Sequence, residues 1–339
     1  MKHRHNQEAA QWSVAIFSAR EQVQTLASTI DAVLAACSGR RVSIEAIVNG
    51  NKELAAAISS ELTSHSRELA EGQAVRIWFV DYPDKANAWN QYLHEIWAGE
   101  ELAFCIDGYV RVYPDALSTI ERGLGAAPEA LAATGVPTYG RSAEKMRRNM
   151  VQQGGIHGNL YVLRGTAMRD LRDLGFRLPL GLYRTDPTLG AVLCFDLDPQ
   201  ANSWNTNRIL VEPGATWSYP ALSARSFRDI RTHFKRVMRQ AQGKLENRAV
   251  RQHLAIDKNS PALFPDSYAE LIRSWLRTHK REALLLLALN PLCLLTVRRV
   301  YARQRDSNAR REPELVASLE GAARRSDAAD AKELPSSRD

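Results

Sequence analysis

The chain has 339 residues, of which 45% are hydrophobic and 24% charged, and a formal net charge of +7. This composition is typical of a globular protein with one large core or about two domains, not of a fibrous or disordered chain. The four cysteines lie far apart without paired spacing, so neither a zinc site nor a disulfide framework is indicated. The polar amino terminus is not followed by a signal-peptide core, and no apolar run reaches the ~20 residues of a membrane span. We therefore expect reduced thiols and a cytoplasmic protein.

Four short apolar segments alternate with helical patterns in the first third of the chain. Strands are predicted at 11–17, 42–48, 74–80 and 102–107, with helices of about ten to fifteen residues between them. Such alternation favours right-handed crossovers and a parallel sheet. Residues 12–125 are therefore predicted to form a nucleotide-binding half.

Polar side chains follow these strands, where open α/β sheets bind ligands. Asp107 ends the fourth strand and either faces that crevice or caps a turn. Asn49 is placed to bind a base or ribose, or else forms an Asn-Gly turn with Gly50. Lys85 opens a helix, where a cation opposes the helix dipole, so it either meets a bound anion or is solvated.

Two common nucleotide-binding motifs are missing from the sequence. The first strand is not followed by Gly-x-Gly-x-x-Gly, which argues against a dinucleotide oxidoreductase. A Gly-x-x-x-x-Gly-Lys-Ser/Thr loop is also missing, which argues against an ATPase of that type.

Four segments in order, 13–22, 48–51, 85–90 and 104–109, resemble those of the family 2 glycosyltransferases with a GT-A fold. The resemblance covers roughly residues 12–250. It departs from the family at the first segment, where Ser18, Glu21 and Gln22 replace Pro, Asn and Glu. It departs again at the last, where Tyr109 replaces the second acid of Asp-x-Asp. The resemblance implies an α/β, GT-A-like single large domain with a mostly parallel nucleotide-binding sheet and a C-terminal helical extension.

The resemblance also implies the site residues. Asp186 corresponds to the catalytic base, although an acid before Pro187 is also a good helix N-cap, and the two roles are compatible. A glycine-rich segment, 154–164, leads into a strand that the family places beneath the donor sugar. The residues expected to bind the nucleotide sugar are Ser18, Arg20, Glu21, Asn49, Lys85, Asn90, Asp107, Gly158 and Arg164.

A divalent ion, Mg²⁺ or Mn²⁺, is the cofactor that the resemblance implies at Asp107. Tyr109 argues against it, because a phenol does not replace a carboxylate as a ligand for a hard cation. Either Asp107 and water hold the ion alone, or basic side chains take over part of its task. Four basic residues are spaced to share one face of a predicted helix: Arg228, Arg231, Lys235 and Arg239. No nucleic-acid-binding motif accompanies these charges, so no nucleic-acid partner is expected.

The carboxyl-terminal part changes character. An amphipathic helix from Tyr268 precedes an apolar run, 283–297, which Asn290 and Pro291 interrupt and basic residues flank on both sides. This pattern fits a helix in peripheral contact with the inner face of the cell membrane. It also fits a helix that is buried against the catalytic domain or in a dimer interface. The charged, Ala/Ser-rich end without an apolar period is predicted to be disordered.

The predicted segments are thus a flexible amino terminus (1–11), the nucleotide-sugar half (12–125), an acceptor-binding half with the basic helix (126–256), helices in possible membrane contact (257–305) and a disordered tail (306–339). The predicted function is inverting transfer of a sugar, of hexosyl type, from a nucleotide sugar to a hydroxyl of a lipid-linked or cell-envelope glycan. The alternative is a non-catalytic binding or scaffold protein with the same fold, which Tyr109, Thr185 and Glu21 favour. A sugar nucleotidyltransferase usually needs a glycine-rich loop after the first strand, and Val14 to Thr25 contains no glycine.

Overall fold

A computed structural model describes residues 11–64, 69–138, 143–219, 227–302 and 311–321, with side chains omitted at 227–236 and 302. The strands are β1 (Trp12–Ser18), β2 (Val42–Asn49), β3 (Gln73–Val80), β4 (Leu102–Asp107), β5 (Arg111–Val112), β6 (Ala132–Pro137), β7 (Leu160–Arg164), β8 (Ile209–Ser218) and β9 (Glu314–Glu320). The helices are α1 (Val23–Ala36), α2 (Lys52–Ser64), α3 (Lys85–Gln91), α4 (Ala116–Ala126), α5 (Ala143–Gln153), α6 (Gly165–Asp173), α7 (Thr185–Cys194), α8 (Phe227–Arg251), α9 (Tyr268–Thr278), α10 (Lys280–Leu289) and α11 (Leu292–Ala302).

The nine strands form one mixed sheet in the order β5-β8-β6-β7-β4-β1-β2-β3-β9. Its centre, β4-β1-β2-β3, is entirely parallel, as predicted for the first third of the chain. Strand β7 pairs antiparallel with β4 and continues the sheet into β6 and β8. The predicted donor and acceptor halves therefore share one continuous sheet.

The central strands β1 and β2 are buried along their whole length because helices cover both faces of the sheet. All seven residues of β1 and all eight of β2 are buried. Residues of α1, α2 and α4 fill one face with a core that includes Leu26, Ile58 and Ile120. Residues of α3, α6, α7, α8 and α9 fill the other face. The carboxyl ends of these parallel strands lie at one edge of the sheet, which is where open α/β folds bind ligands.

The predicted C-terminal helical extension is confirmed, and its helices extend the core on the α8 and α9 face. Leu245 on α8, Ile272 on α9 and Cys293 on α11 are buried in it. Asn290 and Pro291 separate α10 from α11, so the apolar run forms two short helices. No helix in the ranges the structure describes is long and apolar enough to cross a bilayer. The basic helix forms as α8, but the side chains of Arg228, Arg231 and Lys235 lie outside the described residues.

One prediction about the tail is wrong. Residues 314–320 were expected to be disordered, but they form β9, which pairs antiparallel with β3 at the edge of the sheet. Leu319 packs against the core of the α1 and α2 face, which supplies the apolar contact that the isolated sequence lacks. Residues 306–310 and 322–339 of the predicted tail lie outside the described residues.

Candidate functional site

Asp107 lies at the carboxyl edge of the central sheet, where its strand ends against β1. It is opposite Phe17 in the parallel pairing, and the following amide, Gly108 N, donates to Phe17 O at 2.8 Å. A Cβ on Gly108 would lie 2.8 Å from Ser18 Cβ, so the two strand exits are tightly packed. This packing holds the end of β4 against the end of β1.

Lys85 bridges two carboxylates at this edge. As predicted, it is the first residue of a helix, and the preceding Asp84 caps α3 by accepting from Ala86 N at 3.3 Å. Lys85 Nζ lies 2.8 Å from Asp107 Oδ1 and 3.4 Å from Asp186 Oδ1. The fold thus brings together three predicted residues that are separated by up to 101 positions in the chain.

Asp186 reaches the cluster from the first turn of α7. The helix begins at Thr185 with Arg184 at the N-cap position, so the N-cap alternative for Asp186 is wrong. An acid in a first turn is still favoured by the helix dipole. Gly158 packs directly beneath it, since a Cβ there would lie 2.2 Å from Asp186 Oδ2 and 2.9 Å from Lys85 Nζ. Gly158 therefore makes the room that the cluster occupies.

Tyr109 closes the other side of Asp107. Its hydroxyl lies 3.1 Å from Asp107 Oδ2 and 3.2 Å from Asn159 Oδ1. Both oxygens of the Asp107 carboxylate are therefore engaged, one by Lys85 and one by Tyr109. Sequence reasoning identified Tyr109 as a lost acid but not as a partner of Asp107.

The electrostatics of the cluster keep Lys85 charged and Tyr109 protonated. Burial acts to lower the pKa of Lys85, but attraction to Asp107 and Asp186 outweighs it and raises that pKa. Burial raises the pKa of Asp107, with Lys85 opposing and Asp186 adding to the rise. Burial and the Asp107 charge raise the pKa of Tyr109 well above its usual value. One cation therefore lies between two acids.

The loop after β1 is folded around Glu21. Its Oε2 accepts from Ser18 Oγ at 2.6 Å, Ala19 N at 2.7 Å and Arg20 N at 2.9 Å. Burial acts to raise the pKa of Glu21, but these hydrogen bonds outweigh it and lower that pKa. Arg20 is exposed on the same loop. The loop follows the carboxyl end of β1, at the edge where the donor was predicted to bind. That Ser18, Arg20 and Glu21 contact the donor stays a prediction.

Two predicted donor-binding asparagines are buried and hold the fold together. With its amide oriented to satisfy both contacts, Asn49 donates to Ser18 O at 2.8 Å and accepts from Asp84 N at 3.1 Å. Asn90 donates to Leu178 O at 2.9 Å and accepts from Leu178 N at 2.8 Å. The structure gives both a structural role, and their contact with a donor stays a prediction.

The assignment of Arg164 to the donor site is wrong. Strand β7 runs antiparallel to β4, so Arg164 is opposite Leu102, at the far end of the strand from Asp107. Its Nε donates to Ala130 O at 2.7 Å and its Nη2 to Leu124 O at 2.6 Å, which ties it to the end of α4. Arg164 stabilises the opposite edge of the sheet.

The donor set around Asp107 does not fit a divalent ion. Mg²⁺ and Mn²⁺ need free carboxylate oxygens, and both oxygens of Asp107 already have partners. The ammonium of Lys85 lies between Asp107 and Asp186 and repels a second cation there. In the described parts of the chain, no cluster of three or more His, Cys, Asp or Glu side chains is arranged to hold a metal.

Sequence reasoning missed a buried acid that holds the segment before Asp186. Glu246 on α8 is 0% exposed. It accepts from Tyr183 N and Arg184 N, each at 2.9 Å, and Gln242 Nε2 donates to it at 2.6 Å. Gln242 also donates to Gly181 O at 3.1 Å. The available signal was that Glu246 is one of only two acids in the strongly basic stretch 223–255.

Comparison with solved structures places the chain in a recognised fold. No protein-family model matches the sequence, and no curated protein sequence matches it. Among solved structures, the chain is similar to the mannosyltransferase PcManGT from Pyrobaculum calidifontis, in complex with GDP-Man and Mn²⁺. The TM-score is 0.50 at 16% identity, and the match covers 88% of this chain and 82% of that one. The chain has a glycosyltransferase-like fold.

Proposed function

We propose that this protein is an inverting glycosyltransferase. It would move a sugar of hexosyl type from a nucleotide-sugar donor to a hydroxyl of a lipid-linked or cell-envelope glycan. The observation that carries the proposal is the meeting of Lys85, Asp107 and Asp186 at the carboxyl edge of the sheet. Ligands of open α/β folds bind at such an edge. The similarity in fold to a mannosyltransferase supports the same reading.

In the proposed reaction, the acceptor hydroxyl oxygen attacks the anomeric carbon of the donor sugar. The bond from that carbon to the diphosphate oxygen breaks, and its electron pair leaves with the nucleoside diphosphate. Asp186 takes the hydroxyl proton as the new bond forms, a role typically worth 10²–10⁴-fold in rate.

Lys85 supplies positive charge beside the reacting groups. Its ammonium holds Asp107 and Asp186 together, and a fixed cation at this edge favours the negative charge that develops on the leaving diphosphate. Because the carboxylates do not fit a divalent ion, no step of the reaction is assigned to one.

The same geometry supports a second candidate, a non-catalytic protein that binds nucleotide sugars. Both oxygens of Asp107 are engaged within the protein, as expected if the site no longer turns over its ligand. The two candidates differ in product release, whereas both require donor binding.

The test measures nucleoside diphosphate release from a panel of nucleotide sugars with glycan acceptors, and donor affinity by calorimetry. Asp186→Asn should lower release by about 100-fold or more while donor affinity changes little. Asp170→Asn, on the exposed surface of α6, is the matched control and should keep full activity.

Full activity of Asp186→Asn would exclude it as the base. Donor binding without release would favour the non-catalytic candidate. Neither binding nor release with any donor would contradict both.

A further inference from the structure

The two short helices near the carboxyl terminus present a dense apolar surface. Ala283, Leu286 and Cys293 point into the core that α8 and α9 share. The other side of α10 and α11 exposes six leucines within twelve residues, and we call this set the leucine surface: Leu284, Leu285, Leu289, Leu292, Leu294 and Leu295. Single exposed apolar residues are ordinary, but a cluster of this kind marks an interaction site.

Basic residues lie on both sides of the leucine surface. Lys280 and Arg281 precede it and Arg298 and Arg299 follow it, and all four are exposed. The one acid among residues 280–299, Glu282, is paired with Arg248 of α8. The surface therefore presents leucines between two cationic ends.

We propose that the leucine surface docks on an anionic lipid membrane. Leucines would enter the boundary between headgroups and acyl chains, and the four cations would contact anionic headgroups. A second copy of this chain fits less well, because it would bring the same cationic ends against each other. Each helix has 10 or 11 residues and is about 15 Å long, so the pair lies on a bilayer rather than crossing it.

The helices of the leucine surface and the segment before Asp186 both contact α8. Toward the surface, Lys244 donates to Asn290 Oδ1, and Cys293 Sγ donates to Ala241 O at 3.5 Å. From the same helix, Gln242 and Glu246 bind the backbone of 181–184. If the proposed function holds, docking would keep the site close to a membrane-borne acceptor, but the docking itself does not depend on that function.

The test is flotation of the full chain with phosphatidylcholine vesicles, with and without phosphatidylglycerol. We expect binding to the anionic vesicles that weakens as salt rises, because salt screens the headgroup charge. Leu284→Ser/Leu289→Ser should lower the partition coefficient at least tenfold. Arg298→Gln/Arg299→Gln should lower it by roughly fivefold for each charge removed.

Leu263→Ser is the matched control, because Leu263 is 68% exposed, like Leu284, but lies outside the leucine surface. It should leave vesicle binding unchanged, and equal urea midpoints should show that every variant is folded. The proposal is overturned if the wild-type chain ignores anionic vesicles or if Leu263→Ser loses as much binding as the double leucine variant. It is also overturned if light scattering shows a dimer that the leucine changes dissociate while vesicle binding is unaffected.

Discussion

At the scale of single residues, the site depends on the missing side chain of Gly158. Asp186 Oδ2 and Lys85 Nζ occupy the space that a Cβ at this position would need. The backbone at 158 does not have a positive φ, so an alanine would not be strained by its own conformation. The effect of a substitution is therefore a displacement of the two charged groups.

Gly158→Ala should lower the rate of nucleoside diphosphate release by about 10- to 100-fold, because shifting a reacting group by about 1 Å costs that much. Release rates with saturating donor would measure it. Gly125→Ala is the matched control, since its Cβ would meet nothing within 4 Å. Equal rates for Gly158→Ala and the wild type would show that the Asp186 position does not matter to the reaction.

Tyr109 occupies one of the two Asp107 oxygens that a divalent ion would need. Tyr109→Asp would free Asp107 Oδ2 and add a second carboxylate two residues away, as in the Asp-x-Asp pattern. We expect Mn²⁺ to strengthen nucleoside diphosphate binding in this variant, since carboxylates and phosphate oxygens together suit such ions. Calorimetry with and without chelator measures the effect.

Tyr109→Phe is the control, because it removes the hydroxyl contact without adding an acid. The wild type and Tyr109→Phe should bind the nucleotide equally with and without chelator. Loss of wild-type binding on chelation would show that an ion is held at Asp107 in spite of its two partners.

At the scale of elements, α8 holds the segment before Asp186 through one buried carboxylate, that of Glu246. Burial raises the pKa of Glu246, and the hydrogen bonds from Tyr183, Gln242 and Arg184 oppose that rise. The two carboxylate oxygens of Glu246 accept hydrogen bonds from two different backbone amides, Tyr183 N and Arg184 N. A glutamine has one carbonyl oxygen and must turn its NH₂ group toward one of these donors.

Glu246→Gln should therefore lower the free energy of unfolding by about 1–3 kcal/mol, which is the cost of leaving a buried N–H donor without a hydrogen-bond partner. We also expect kcat for release to fall while donor affinity stays near the wild-type value. The reason is that the backbone before Asp186 would no longer be held in one position. Urea unfolding and steady-state rates measure the two effects. Glu144→Gln, an exposed acid on α5, should change neither, and an unchanged kcat for Glu246→Gln would limit Glu246 to stability.

The sequence predicts elements well where local pattern decides them. Asp107 and Lys85 were predictable because a strand end and a helix start are visible in the sequence. Arg164 was misplaced because strand direction depends on pairing with a distant strand, and an antiparallel β7 reverses its ends. Glu246 was missed because its partners lie 62 and 63 residues away and are met only by tertiary docking. The same applies to β9, whose partner strand is more than 200 residues earlier.

At the scale of the whole molecule, three half-buried histidines in separate regions give stability a common pH dependence. Burial lowers the pKa of His94, His157 and His253, and the hydrogen bonds or charges around each one only partly offset it. His94 Nε2 lies 2.9 Å from Phe176 O, and His253 Nε2 lies 3.2 Å from Ser260 O. The His157 ring is tilted against that of Trp217, with the ring centroids 5.3 Å apart, beside the candidate site.

The direction in which stability changes with pH follows from proton binding. As pH falls below the ordinary histidine pKa of 6.5, the unfolded chain takes up protons before the folded one does, so the folded state loses stability. The loss grows as pH falls toward the lowered pKa of each folded-state histidine, and solvent screening makes it smaller at the partly exposed His94 and His253. Burial raises the pKa of Glu100 and of Glu246, and these acids act in the opposite direction as pH falls toward 4.5.

A comparison of the wild type with a histidine variant separates the contribution of the histidines from that of the acids. The free energy of unfolding in urea should fall from pH 7.5 to pH 5.5, and His253→Gln should make that fall smaller, because it removes one titrating group and leaves the acids in place. His253 is the best choice, since it stacks on Phe264 at 4.4 Å, away from the cluster of Lys85 and the two aspartates. If the wild type and His253→Gln lose the same free energy between the two pH values, the buried histidine does not contribute to the pH dependence.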